Sequence, residues 1–110
     1  MTVKELAEKL GLTFFTGEAG LENEVKGGYA SDLLSDVMGH AKEGQVWITL
    51  QTHRNIVGIA SLKDLAAVIL VKGFTPDGET VELAETEGVA LLGTGMQAFE
   101  MAGKLYDLLK

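Results

Sequence analysis

Ala66-Ala-Val-Ile-Leu-Val71 is apolar at six consecutive positions, the pattern of a strand buried on both faces. Such a strand belongs at the centre of a parallel sheet that helices cover from either side. Before it, Asn55 to Lys63 carries Ile56, Ile59, Ala60 and Leu62 at helical spacing, and Gln45-Val-Trp-Ile-Thr-Leu50 reads as a β-branched, aromatic strand. After it, Thr75-Pro76 reads as an N-cap with proline at the first helical position, opening a helix to about Glu87 that Gly88 ends. Val89-Ala-Leu-Leu92 is the last strand expected. Gly93-Thr-Gly95 then leads into a helix from Met96 to about Leu109, with Phe99, Ala102, Tyr106 and Leu109 on its core face. Strand and helix alternate throughout this half. Right-handed crossovers and a three-layer α/β domain, its sheet mainly parallel with helices on both faces, follow.

The N-terminal half is less regular. Thr2-Val-Lys-Glu5 has the form of a capping box, and Val3, Leu6, Ala7 and Leu10 follow at helical spacing before a stop at Gly11. Leu12-Thr-Phe-Phe-Thr16 reads as a short strand, Gly17 to Asn23 as a turn-rich stretch, and Glu24 to Ala30 as a second extended segment loosened by its glycine pair. Ser31 or Asp32 is expected to cap a short helix carrying Leu33, Leu34, Val37 and Met38.

At 110 residues, with no repeat or linker, one domain spanning 1–110 is expected. The 46% hydrophobic and 23% charged composition is that of a folding chain, not a disordered one. The absence of cysteine excludes disulfides, a thiol nucleophile and a thiolate metal site. A net charge of −7, with nine scattered Lys and Arg, argues against nucleic acid and anionic membrane as partners. Leu65 to Val71, the longest strongly apolar run, is far short of the ~20 residues of a membrane span. Nothing near Met1 resembles a secretory signal, so a cytoplasmic location is the expectation.

Gly44-Gln-Val-Trp-Ile-Thr49, the polar loop Thr52-His53-Arg54-Asn55, the small-residue helix and Ala67-Val-Ile-Leu-Val-Lys-Gly73 together resemble the DRTGG domain. The signature of that domain, Asp-Arg-Thr-Gly-Gly, is spread over two strand ends. Arg54 matches its arginine, whereas His53 stands for the aspartate. Of Thr-Gly-Gly, only Gly73 is present, behind Val71 and Lys72. The chain is most similar to short DRTGG proteins described as HPr-kinase-like and found with iron-hydrogenase genes, over about Val25 to Leu109. More distantly it is similar to the N-terminal domains of HPr kinase/phosphorylase and the Mur ligases. The resemblance implies that fold and a regulatory or accessory role. HPr kinase chemistry lies in a separate domain with a Walker A loop, and no G-x-x-x-x-G-K-[ST] occurs here.

In an open α/β sheet, ligands bind outside the carboxyl ends of the strands. The loops there are Gln51–Asn55, Lys72–Asp77 and Gly93–Gly95, which makes Thr52, His53, Arg54, Lys72, Gly73, Gly93, Thr94 and Gly95 the candidate ligand-binding residues. Arg54, Lys72 and His53 would give this rim a positive centre for a carboxylate or phosphate. In the alternative, Arg54 and Lys72 are simply solvated or pair with Asp32 or Asp77. Gly93-Thr-Gly95-Met-Gln-Ala98 spells G-x-G-x-x-A, yet no strand follows to complete a dinucleotide unit, and a tight strand-to-helix turn accounts for its glycines. His40 and His53 lack a third metal ligand. Asp32 and Asp36 fall four apart on one helix face, which could assist a cation, with plain surface solvation the favoured reading. No metal, cofactor or catalytic residue is expected.

Two functions remain. One is a non-catalytic domain that senses a small anionic metabolite or nucleotide, or docks on a redox-enzyme partner such as a hydrogenase. The other is a small phosphoryl-transfer enzyme related to HPr kinase, relying on Gly93–Gly95, Lys72 and Asp77. Met101, Leu105 and Leu108 widen the apolar coverage of the last helix beyond one face. With a positive mean hydropathy, this points to a homodimer.

Overall fold

The computed structural model describes residues 1–110. Its elements in chain order are α1 (Val3–Leu10), β1 (Thr13–Phe14), β2 (Gly27–Ala30), α2 (Leu34–His40), β3 (Gln45–Thr49), α3 (Asn55–Leu62), β4 (Ala67–Leu70), α4 (Gly78–Glu87), β5 (Leu91–Gly93) and α5 (Ala98–Leu109). The sheet order is β1-β5-β4-β3-β2, with β4 in the middle as its uninterrupted apolar run requires. β2, β3, β4 and β5 are mutually parallel, and only β1 runs antiparallel, on the edge of β5.

Alternation along the strands divides the core in two. Val46, Ile48, Ala67, Ile69 and Leu92 face α1 and α5 and pack with Val3, Leu6, Met101 and Leu105. Trp47, Val68, Leu70 and Leu91 face the opposite way, onto Val37, Ile56, Val57, Ala60 and Ala84 of α2, α3 and α4. Two buried layers on one sheet make the three-layer architecture expected.

Several boundaries moved, each because a tertiary contact outweighed a local signal. The Leu12–Thr16 strand shrinks to Thr13–Phe14. Beyond it the Thr16 hydroxyl, not its backbone, accepts from the Leu91 amide. Of Glu24–Ala30, only Gly27–Ala30 joins the sheet, because Val25 donates to the Met1 carbonyl. Neither Ser31 nor Asp32 caps α2: its N-cap is Leu33, without a side-chain bond. Asp32 Oδ1 instead accepts from Thr49 Oγ1 at 2.8 Å and from the Leu50 amide at 2.7 Å, so Asp32 and Asp36 do not share a helix face.

Helix α4 starts at Gly78 behind Asp77, not at Pro76. The Asp77 amide and Thr80 hydroxyl both donate to the Thr52 carbonyl, which fixes that start from another loop. Helix α5 starts at Ala98 rather than Met96, whose carbonyl accepts from the Lys72 amide. The last strand is Leu91–Gly93, since the Val89 amide closes α4 on Ala84. The face of α5 is the largest correction. Met101 and Leu105 are buried, whereas Phe99 and Tyr106, expected inside, are 93% and 73% exposed.

Candidate functional site

Because β2 to β5 are parallel, the loops that leave their carboxyl ends, and the starts of α2 to α5, gather along one rim. Hydrogen bonds lace that rim. The Gln51 side-chain amide donates to the Asp32 carbonyl at 2.9 Å, joining the β2 and β3 exits. The bonds from Asp77 and Thr80 to Thr52 join the β3 exit to α4. The Lys72 amide donates to Met96 at 2.8 Å, Gly73 to Thr94 at 2.9 Å and Thr94 to Leu70 at 2.9 Å, joining the β4 and β5 exits. No side chain caps α3, α4 or α5, so the positive end of each helix dipole is directed toward this rim.

The eight candidate residues fall into two groups. Thr52, His53 and Arg54 meet the start of α4, where a polar cleft of about 260 Å³ is lined by His53, Arg54, Asn55, Asp77, Glu79 and Thr80. Its basic side chains are partnered: His53 Nδ1 lies 2.9 Å from Asp77 Oδ2, and the Arg54 guanidinium 3.8 Å from Glu79. Thr80, fully buried, spends its hydroxyl on the Thr52 carbonyl. Lys72, Gly73, Gly93, Thr94 and Gly95 form the second group and line no part of that cleft. Asp77, one leg of the phosphoryl-transfer reading, is paired with His53 in that cleft, which Gly93–Gly95 do not line. Nowhere do three His, Asp or Glu side chains converge as a metal site requires.

Gly93 serves packing. A Cβ there would lie 2.4 Å from the Phe15 ring, so the glycine admits the aromatic side chain of the β1 exit. The space around Gly95 is open. Lys72 is the anomaly of the second group: it is exposed, forms none of the chain's ion pairs, and has φ 59°. A left-handed lysine costs about 1–2 kcal/mol, and strain of this kind concentrates at functional sites.

Sequence reasoning missed the work of Asp32, Thr49 and Thr80, whose partners are 17 to 28 residues away and leave no local pattern. It missed a polar cluster beside the rim as well. The Tyr29 hydroxyl donates to Asp36 Oδ2 at 2.8 Å, and His40 Nδ1 lies 3.2 Å from Asp36 Oδ1. The Tyr29 bond is the main reason the Asp36 carboxyl titrates below the usual aspartate range. The same bond pushes the phenol up. A depressed carboxylate stabilises the fold at neutral pH and loses that contribution as pH falls through its folded value. The raised phenol acts in the opposite direction, its contribution fading as pH climbs past the ordinary tyrosine value. Thermal melts should accordingly show Tyr29→Phe with a flatter stability–pH profile at both ends than wild type. Parallel profiles would contradict the assignment.

No family model and no curated protein matches the sequence. The fold is similar to that of a solved structure, the CBS and DRTGG domains of the regulatory region of Clostridium perfringens pyrophosphatase, complexed with the activator diadenosine tetraphosphate. The TM-score is 0.72 at 17% identity, over 94% of this chain and 45% of that one. The fold is of DRTGG type. Its residues thus stand on the scaffold that the loop and strand resemblance implied, and this chain spans less than half of that regulatory region. No helix is long and apolar enough to cross a membrane.

Proposed function

We propose that this DRTGG-type domain is a non-catalytic regulatory module that binds a small anionic ligand, a nucleotide or phosphate-bearing metabolite, at the carboxyl-end rim. The observation that carries this reading is Lys72, an unpaired cation in a strained conformation. It sits in a loop tied to Thr94 and Met96 just ahead of the uncapped start of α5. There an anion meets a lysine and a helix N-terminus together. Thr94, Gly95 and Gly73 supply the surrounding loops, while Thr52, His53 and Arg54 border the neighbouring polar cleft, where Arg54 can leave Glu79 for a better-placed phosphate. The similar pyrophosphatase region, regulatory and complexed with a dinucleotide activator, supports the choice of ligand class. In this reading the domain works in the cytoplasm as a homodimer and passes its state to a redox-enzyme partner of the hydrogenase type.

Lys72→Gly separates this role from a structural one. Relieving the left-handed strain should stabilise the free protein by about 1 kcal/mol. A nucleotide at 100 times its Kd should add about 2.7 kcal/mol to wild type. Thermal-shift titration with ATP, diadenosine tetraphosphate and pyrophosphate should find the variant more stable alone and less responsive to ligand. An equal ligand response in the variant, or none in wild type, would remove the basis for the proposal.

A further inference from the structure

Asp77 stands at the N-cap of α4 in the backbone conformation of a cap, φ −62° and ψ 153°, yet its side chain makes no capping bond. An N-cap aspartate ordinarily accepts from the second or third amide of its helix. The third, that of Thr80, donates to the Asp77 carbonyl at 3.0 Å, and the second, that of Glu79, has no partner. The carboxylate has turned across the polar cleft instead, with Oδ2 2.9 Å from His53 Nδ1. A carboxylate only accepts, so that ring nitrogen carries the proton and donates. Glu79 faces Arg54 in the same way at 3.8 Å. Both basic side chains of this cleft are thus met by a carboxylate from the start of α4.

A carboxylate and a phosphate make the same demand on histidine and arginine, oxygen atoms within ~2.7–2.9 Å of an N–H donor. An anion entering the cleft therefore competes with Asp77 and Glu79 for the groups that would hold it. The backbone beneath them does not move with the exchange. The Asp77 amide and the Thr80 hydroxyl are held by the Thr52 carbonyl at 3.1 and 2.8 Å, and the Asp77 carbonyl by the amides of Thr80 and Val81. What can change partner is the Asp77 side chain. Displaced from His53, its carboxylate finds the free Glu79 amide of its own helix by side-chain rotation alone. Its charge then lies at the positive end of the α4 dipole, where an anion is favoured.

We propose that Asp77 is a self-inhibitory switch of this cleft. In the free protein its carboxylate occupies His53; when a phosphate takes that place, Asp77 swings onto the Glu79 amide and caps α4. The proposal rests on the anion-binding reading of the rim and adds its regulation, a built-in competitor whose release is registered at the start of a helix. Amide NMR on the full chain tests it, with pyrophosphate as the probe and binding followed at Thr52–Asn55, away from Lys72. Asp77→Asn removes the charge and keeps a good cap, and should bind pyrophosphate about tenfold tighter than wild type. Glu79→Gln, which loses only a long, exposed ion pair, should gain about threefold. A ligand-free arm reads the switch alone. His53→Ala should send Asp77 to its cap, shifting the Glu79 amide resonance and slowing its hydrogen exchange several-fold, and pyrophosphate should shift that resonance in wild type in the same direction. An Asp77→Asn affinity no higher than wild type, or a Glu79 amide unmoved in His53→Ala, would overturn the switch and leave the rim reading standing. Thr52–Asn55 amides that pyrophosphate moves in neither wild type nor Asp77→Asn would remove anion binding at this cleft and its regulation together.

Discussion

Truncating Trp47 to alanine is expected to destabilise the protein by about 3–5 kcal/mol, a large part of the ~5–15 kcal/mol available to a domain of this size. Trp47 is fully buried among the residues that join the sheet to α2, α3 and α4. Its loss leaves a cavity between layers that cannot easily collapse, because β3 is held by strands on both sides. The indole also donates to the Ser31 carbonyl at 2.8 Å, which anchors the β2 exit at the rim. Trp47→Phe keeps most of the apolar contact and drops that bond, so it should cost a smaller ~1–3 kcal/mol. Urea unfolding of both variants reads the difference. A Trp47→Ala midpoint close to wild type would mean that the second core layer contributes little.

Gly20→Ala should cost about 3 kcal/mol, combining a left-handed backbone penalty with overpacking. Gly20 has φ 70°, and an added Cβ would lie 2.7 Å from the Ala90 amide nitrogen and 3.1 Å from the Gly88 carbonyl oxygen. Both neighbours are backbone, fixed at the end of α4 and the approach to β5, and cannot swing away as a side chain would. The turn that contains Gly20 runs between β1 and β2. The loss should therefore appear in global unfolding as well as in local amide exchange. Gly95→Ala, with open space around it, is the matched control and should change stability little. Equal effects at the two positions would contradict the packing described for Gly20.

The C-terminal half was legible because its strands carry their own evidence. Ala66–Val71, apolar on both faces, reads as a central strand, and Gln45–Leu50 as a β-branched, aromatic one. The caps at Thr2, Gly11 and Gly88 are local devices, and all three stand where the residues placed them. The position of β1 was not legible, since pairing two residues with β5 is a long-range contact with no pattern of its own. The α5 face failed for another reason. Phe99 and Tyr106 form one apolar stripe and Met101 and Leu105 a second, and helical period does not say which of two greasy faces meets the sheet. Packing chose the aliphatic one.

The rim itself followed from topology once the strands were known to be parallel. Its electrostatics did not. His53 was foreseen as part of a positive centre, and it pairs with Asp77 across 24 residues of chain. Asp32, foreseen as a helix cap or a solvated surface carboxylate, fastens β3 instead. What remains of the positive centre is Lys72, and its strain is visible only in the backbone.

Amide chemical-shift mapping of the full chain with ATP or diadenosine tetraphosphate tests the rim most directly. The account predicts that perturbed amides cluster at Thr52–Asn55, Val71–Asp77 and Thr94–Phe99, and that Lys72→Gly abolishes the changes in the last two segments. Perturbations centred on the opposite edge of the sheet, in the roughly 450 Å³ cleft around Asn23, Lys26, Glu43 and Asp64, would contradict it, as would a spectrum that no nucleotide moves.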